Sequence, residues 1–452
     1  MTLTAYTREF KTNFGLALPV IIGSLGHMLT GLADDIMVGV LGPVELAATS
    51  LGNTLVFVML SIGMGFSFAL TPLISEADGE KDYDKGHKLF HHALVLNIVM
   101  GILMFAMLHL SKPLLGYFKQ PPEVVELAVP YFDIVSLSMV PVMIFQAMKQ
   151  FADGMSKTKH AMTATIISNV INIGLNFLLI YGVWFFPKMG ILGAAIGTFV
   201  SRIAILFIMY YYLNKDKRLT EFLKPLKFKE YTQSFFVKLI NLGFPTALQI
   251  FFEVGLFASG VLLAGVLGTY PQAANQIALK LASSTFMVAV GVGVAATVRI
   301  GIQKGKKDFI NLRRIALSNQ LMVLLIMTVF MIMFFVFNRI LPWGFTQEVE
   351  VVNIAASLLI VAGFFQLADG LQAVLMASLR GLQDVWVPSL ITFIAYWIIG
   401  FPVSYYFSLE TELKAIGIWL GLSLGLLSAA IMLFLRFNYI TKQLIVKHHG
   451  NT

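Results

Sequence analysis

Cysteine is absent from all 452 residues, which excludes disulfides, thiolate chemistry, cysteine-ligated zinc and iron–sulfur clusters. Charge is scarce as well. Only 12% of the residues are Asp, Glu, Lys or Arg, roughly half the ~25% of a soluble domain. No H-E-x-x-H, Walker A or G-x-S-x-G pattern occurs, so a zincin, an ATP-driven motor and a nucleophile-elbow hydrolase find no support. What fills the chain is apolar: 58% of its residues are hydrophobic and the mean hydropathy is +0.81. Apolar runs of about 20 residues, the length that crosses a bilayer, recur from end to end. The chain reads as an all-α polytopic membrane protein.

Apolar runs and loop signals predict about twelve spans, near residues 14–38, 46–75, 88–110, 125–148, 160–182, 190–213, 236–265, 272–298, 315–338, 351–377, 387–408 and 415–437. The first run has no small-residue cleavage site and is followed by Asp34 and Asp35, so it is expected to be retained as a helix rather than removed as a signal peptide. With the N-terminus placed in the cytoplasm, 25 of the 32 Lys and Arg residues fall inside and five outside, among them Lys119. That imbalance predicts both termini in the cytoplasm of a multi-pass protein of the cell (inner) membrane. It also accounts for the net charge of +8 without any nucleic-acid partner.

The polar stretch 214–234 lies near the middle of the chain and divides it into an N-terminal lobe, 1–213, and a C-terminal lobe, 235–452. Shifting the first lobe by 226 positions lays Pro19 on Pro245 and VGVLGPVELAA (38–48) on AGVLGTYPQAA (264–274). Gly79, Lys81 and Asp82 then fall on Gly305, Lys307 and Asp308, while Gly154 meets Gly381 and Gly193 meets Gly417 at offsets of 227 and 224. Six spans per repeat is an even number, so both repeats enter from one side. Two six-helix lobes related by a pseudo-twofold axis along the membrane normal follow, with a cavity between them and alternating access as the mechanism such a design permits.

A charge at membrane depth costs at least about 3 kcal/mol, so intramembrane acids mark sites. Glu253, in FFEVGLFASG, lies mid-span, and Asp369, in FFQLADGLQ, has Gln366 and Gln372 three residues to either side. Both belong to the C-terminal lobe, where two carboxylates sharing a site suit the binding of a cation or a proton. In the N-terminal lobe Asn169, Asn172 and Asn176 recur at helical spacing in SNVINIGLNF, either as interhelical glue or as a polar site completed by Asp34. Asp34 and Asp35 point about 100° apart, so one faces protein and the other water. Asp133 reads as an interfacial group. Lys280, within span eight, either pairs with Glu253 or Asp369 or snorkels its long stem; Arg202 in span six raises the same question. Pro19 and Pro245 weaken their helices locally and read as hinges or as static bends. His87, His91 and His92 spell the H-x-x-x-H-H of a diiron histidine box, but His27, His109, His160, His448 and His449 form no second box, so a membrane desaturase fails on ligand count. The reading is not an enzyme and needs no cofactor.

At these residues the sequence resembles the multidrug and toxic compound extrusion (MATE) transporters, in their NorM-type branch. The resemblance spans the whole chain: ADDIMVGVLG after span one, FFEVGLFA in span seven, ANQIAL and SSTFM in span eight, and LADGLQAVLMASLRGLQD across span ten and its loop. It implies a secondary active antiporter, functional as a monomer, that exports small cationic amphipathic drugs in exchange for inward-moving Na⁺ or H⁺. By motif position it implies cation-site acids at Glu253 and Asp369, with Na⁺ as a candidate ion there, and at Asp34, with Asn172, Asn176 and Thr198 as its companions. It implies a bend at Pro19 linked to conformational change. Lys280 stands where that branch commonly has asparagine. An alternative within the wider superfamily is a flippase for lipid-linked or oligosaccharide cargo. Such cavities carry many basic residues, whereas here only Arg202 and Lys280 fall deep within predicted spans.

Overall fold

The structure is a computed structural model, and it describes residues 3–118 and 120–449; Lys119 lies outside them. Among the described residues there are helices, turns and loops and no strand, as expected of a chain whose backbone must satisfy its own hydrogen bonds in lipid. Among the described residues twelve helices have the length and composition to cross a membrane: spans one to six are Phe10–Gly39, Pro43–Glu80, Tyr83–Leu110, Pro122–Gly154, Thr158–Tyr181 and Ile191–Lys215. Spans seven to twelve are Gln233–Val266, Thr269–Gly305, Phe309–Phe337, Val349–Gly381, Trp386–Leu409 and Ala415–His448. Every expected span is present. Several run longer than their apolar stretch, because polar turns continue the helix past the hydrocarbon region.

Three spans carry breaks that a hydropathy pattern does not register. Span two is interrupted between Ser67 and Leu70, span four at Ser138, and span eleven contains a π-helical stretch, Ile394–Gly400.

The chain forms two compact units, Ile22–Ala247 and Met1–Ile21 with Leu248–Thr452. Their boundaries run inside spans one and seven, two residues past Pro19 and Pro245 respectively, and the stretch 214–234 packs within the first unit.

The internal repeat reappears in backbone detail. Lys81 and Lys307 both take left-handed conformations, φ 61° and 58°, and the next residues, Asp82 and Asp308, cap the following helices by accepting from Lys85 N (2.9 Å) and Asn311 N (3.1 Å). Gly154 and Gly381 are matched by their surroundings. A Cβ at Gly154 would lie 2.8 Å from Ile74 Cβ and 3.0 Å from the Thr71 carbonyl; at Gly381 it would lie 2.9 Å from Ile300 Cβ and 3.0 Å from the Thr297 carbonyl. Each unit brings two helices into contact at a glycine, and any side chain there would force them apart.

Candidate functional sites in the two units

In the unit containing Leu248–Thr452, span seven carries Glu253 and span ten carries Asp369, 9% and 3% exposed. Oδ1 of Asp369 is buried with no hydrogen-bond partner among the described residues. The charge of Glu253 acts on Asp369, and both acids expected from the sequence lie buried in this unit. Gln372, one turn on from Asp369, is fully buried and donates to Tyr396 Oη at 2.7 Å; Gln366 is fully buried one turn before it. Tyr396 sits on the π-helical stretch of span eleven, is buried and faces both acids electrostatically. Two buried carboxylates in one unit, one with an unmatched oxygen, offer donors suited to a small hard cation or a proton.

The positive charge beside this pair is not Lys280. That lysine is exposed, and among the described residues no ion pair joins it to Glu253 or Asp369, so the expected pairing is not made. Arg380, at the end of span ten, is the cation whose charge acts on Glu253. By sequence Arg380 reads as a loop residue, because it closes an apolar run. The helix continues through it to Gly381, which is why it bears on the site.

In the unit Ile22–Ala247, spans one, five and six contribute a hydrogen-bonded polar chain. Asn176 donates to Asp34 Oδ1 at 2.7 Å and reaches Asn172 Oδ1 at 3.4 Å. Asn172 reaches Thr198 Oγ1 and Ser201 Oγ, each at 3.4 Å, and Ser168 donates to the Ser201 carbonyl at 2.8 Å. Asp34, Asn172, Asn176 and Thr198 therefore stand together; Ser168 and Ser201 join them, two hydroxyls that nothing in the sequence marks out. Asp34 is half-buried and its neighbour Asp35 exposed, as the 100° step requires. Asn169 is half-buried on the same span. Gly197 lets the amide in: a Cβ there would lie 2.0 Å from Asn176 Oδ1. Arg202 donates to Ser138 Oγ, at the break in span four, and its charge acts on Asp34. Asp133 pairs with Lys112 and with His109 (3.3 Å).

The three histidines of H-x-x-x-H-H converge on no metal; among the described residues no cluster of three His, Asp or Glu has metal-holding geometry. Each meets the stretch 214–234 instead. His87 Nε2 lies 2.8 Å from the Lys224 carbonyl, His91 Nε2 lies 3.1 Å from the Phe222 carbonyl, and His92 Nε2 accepts from Thr232 N at 2.9 Å.

Comparison with known proteins adds three findings. The MatE family model matches residues 19–178 and again 245–406, two matches that start on Pro19 and Pro245, 226 positions apart. The chain is 32% identical over 438 residues to the probable multidrug resistance protein NorM of Rhizobium meliloti, covering 96% of this chain and 94% of that one. It is 31% identical over 444 residues to the multidrug resistance protein NorM of Photobacterium profundum, covering 97% of each. Its fold is similar to a solved structure described as the outward-facing conformation of a multidrug resistance MATE family transporter of the MOP superfamily, with TM-score 0.87, 21% identity and 96% of each chain covered.

Proposed function

The chain belongs to the MatE family, and from that premise we propose that it is a secondary active multidrug efflux antiporter, exporting small cationic amphipathic compounds in exchange for Na⁺ or H⁺ by alternating access. The observation that carries the reading is the Glu253–Asp369 pair, two carboxylates buried at membrane depth within one unit. In this scheme the pair binds the incoming cation, Gln372 and Tyr396 supply neutral oxygens, and Arg380 holds Glu253 in place electrostatically. Asp34, carried by Asn176, forms a second polar station in the other unit, alongside Asn172 and Thr198. Pro19 and Pro245 act as the hinges, since each compact unit begins or ends just beyond them. The two six-span repeats, 1–213 and 235–452, are joined by the cytoplasmic linker 214–234. The protein works as a monomer in the cell membrane, with both termini in the cytoplasm.

The test is gradient-driven efflux of a fluorescent cationic dye from energy-depleted vesicles, with a sodium gradient and a pH gradient imposed separately. One gradient is expected to drive efflux in the wild type, which names the coupling ion. Asp369→Asn is expected to reduce it to background while leaving the protein monodisperse. Efflux under neither gradient from folded, inserted protein sinks the reading and turns attention to lipid-linked cargo.

A further inference from the structure

The stretch from Phe222 to Thr232 is fastened at both ends and bare in the middle. His91 and His87 hold the carbonyls of Phe222 and Lys224, His92 holds the N–H of Thr232, and the Phe222 ring is buried, 5.2 Å from Phe151. Between these anchors Lys227 opens a tight 3₁₀ turn, Phe228–Glu230, closed by Glu230 N donating to the Lys227 carbonyl (2.9 Å) and by Lys227 N donating to Glu230 Oε2 (3.1 Å). At that turn Phe228 is 91% exposed. A phenylalanine held rigidly outward, on a connection between two spans, is costly in water and at home in the interfacial region of a bilayer.

The charges of the same connection select the lipid. Asp216 is taken up by Lys157 and His160, Glu221 by Lys224, and Arg218 by Asp78. Lys217, Lys227 and Lys229 are exposed and form no ion pair among the described residues. We propose that this turn is a membrane-surface anchor: Phe228 inserts at the headgroup boundary while Lys217, Lys227 and Lys229 engage the phosphates of anionic phospholipids. The three histidines then do structural work, presenting the wedge at a fixed height. The inference depends on the membrane-spanning fold and not on the cargo, and vesicles with the same lipid in both leaflets make the test independent of orientation.

The experiment places Phe228→Trp in proteoliposomes whose acyl chains are brominated, and subtracts the quenching of the wild type to remove its five tryptophans. In phosphatidylglycerol vesicles the added emission is expected to be quenched at least about fivefold more than in phosphatidylcholine, the equivalent of roughly one surface lysine. Adding Lys227→Gln and Lys229→Gln is expected to erase that preference. Inorganic phosphate in solution, at constant ionic strength, is expected to leave it unchanged. Absence of quenching in either lipid overturns the proposal, as does equal quenching in both, and so does loss of quenching on adding free phosphate, which would assign the lysines to a soluble anion. Size-exclusion profiles and far-UV circular dichroism matching wild type show that each variant is folded.

Discussion

Gly197 illustrates how a single missing side chain sets up a polar site. Asn176 reaches Asp34 only because span six offers no Cβ at that level; a methyl there would lie 2.0 Å from Asn176 Oδ1. Gly197→Ala must therefore displace the amide or spread the helices, and it is expected to destabilise the protein by about 1–3 kcal/mol, read as a lowered Tm in detergent. Gly174→Ala, on the neighbouring span with nothing within 4 Å of its Cβ, is the control with the opposite sign: it gains up to about 1 kcal/mol of helix propensity. Just past the end of span six, Asp216 gives a pH signature. Burial pushes its carboxyl up, but hydrogen bonds from Lys157 and His160 and from Arg218 N outweigh this and hold it at about 2. A depressed carboxylate contributes stability above its unfolded value of 3.8 and loses it as pH falls towards about 2. Asp216→Asn is thus expected to lower Tm at pH 6, and the gap from wild type should close between pH 4 and 2. A gap that persists unchanged at pH 2 contradicts the assignment.

Among elements, the stretch 214–234 behaves as a clasped strap rather than a loose connection. His92 reveals its chemistry through geometry: its Nδ1 lies 2.7 Å from the Lys88 carbonyl, which only accepts, while its Nε2 accepts from Thr232 N. That pair of contacts requires the neutral ring with its proton on Nδ1. His92→Ala removes the bond to Thr232 N, worth about 1 kcal/mol, together with the ring's packing on Tyr231, Phe235 and Phe236, so the strap should open at least about fivefold more often. Limited tryptic cleavage after Lys227 and Lys229 should speed up by that factor, and equal cleavage rates would show that the clasp lies elsewhere. Such a clasp is not legible in the sequence, because H-x-x-x-H-H has the same spelling whether the rings face a metal or a backbone. The spans themselves are legible, since 20-residue apolar runs leave no competing structure. Their breaks are not, because hydropathy is unchanged at Ser138 or through Ile394–Gly400, and so Tyr396 enters the site without a sequence signal. The acids Glu253, Asp369 and Asp34 can be read from sequence since each is costly in an apolar run. Their neutral companions Ser168 and Ser201, and Arg380 at a helix end, carry no such penalty and stand out less.

For the whole molecule, the chain does not change units where its polar connection lies but inside two continuous helices, two residues beyond a proline each time. The first 21 residues consequently belong with Leu248–Thr452, and their polar attachment is concentrated on one acid. Glu9 accepts from Arg299 at 2.6 Å and lies 3.1 Å from Arg314, Asn13 donates to Ser318 Oγ at 3.2 Å, and Ser318 donates to the Tyr6 carbonyl at 2.7 Å. Glu9 is largely buried, so losing its charge leaves two guanidinium groups facing a neutral amide. Glu9→Gln is expected to weaken the attachment by about 1–3 kcal/mol, and the loss should appear as local opening rather than global unfolding. Hydrogen exchange at residues 4–13 should accelerate about tenfold or more, while Ile22–Ala247 exchanges at the wild-type rate. Combining Glu9→Gln with Arg299→Gln should cost less than the sum of the single changes, since the second removes a charge the first has stranded. Strict additivity would mean that the N-terminal segment is held by its helix packing alone, and that the proline-proximal unit boundary in span one is not maintained by this ion pair.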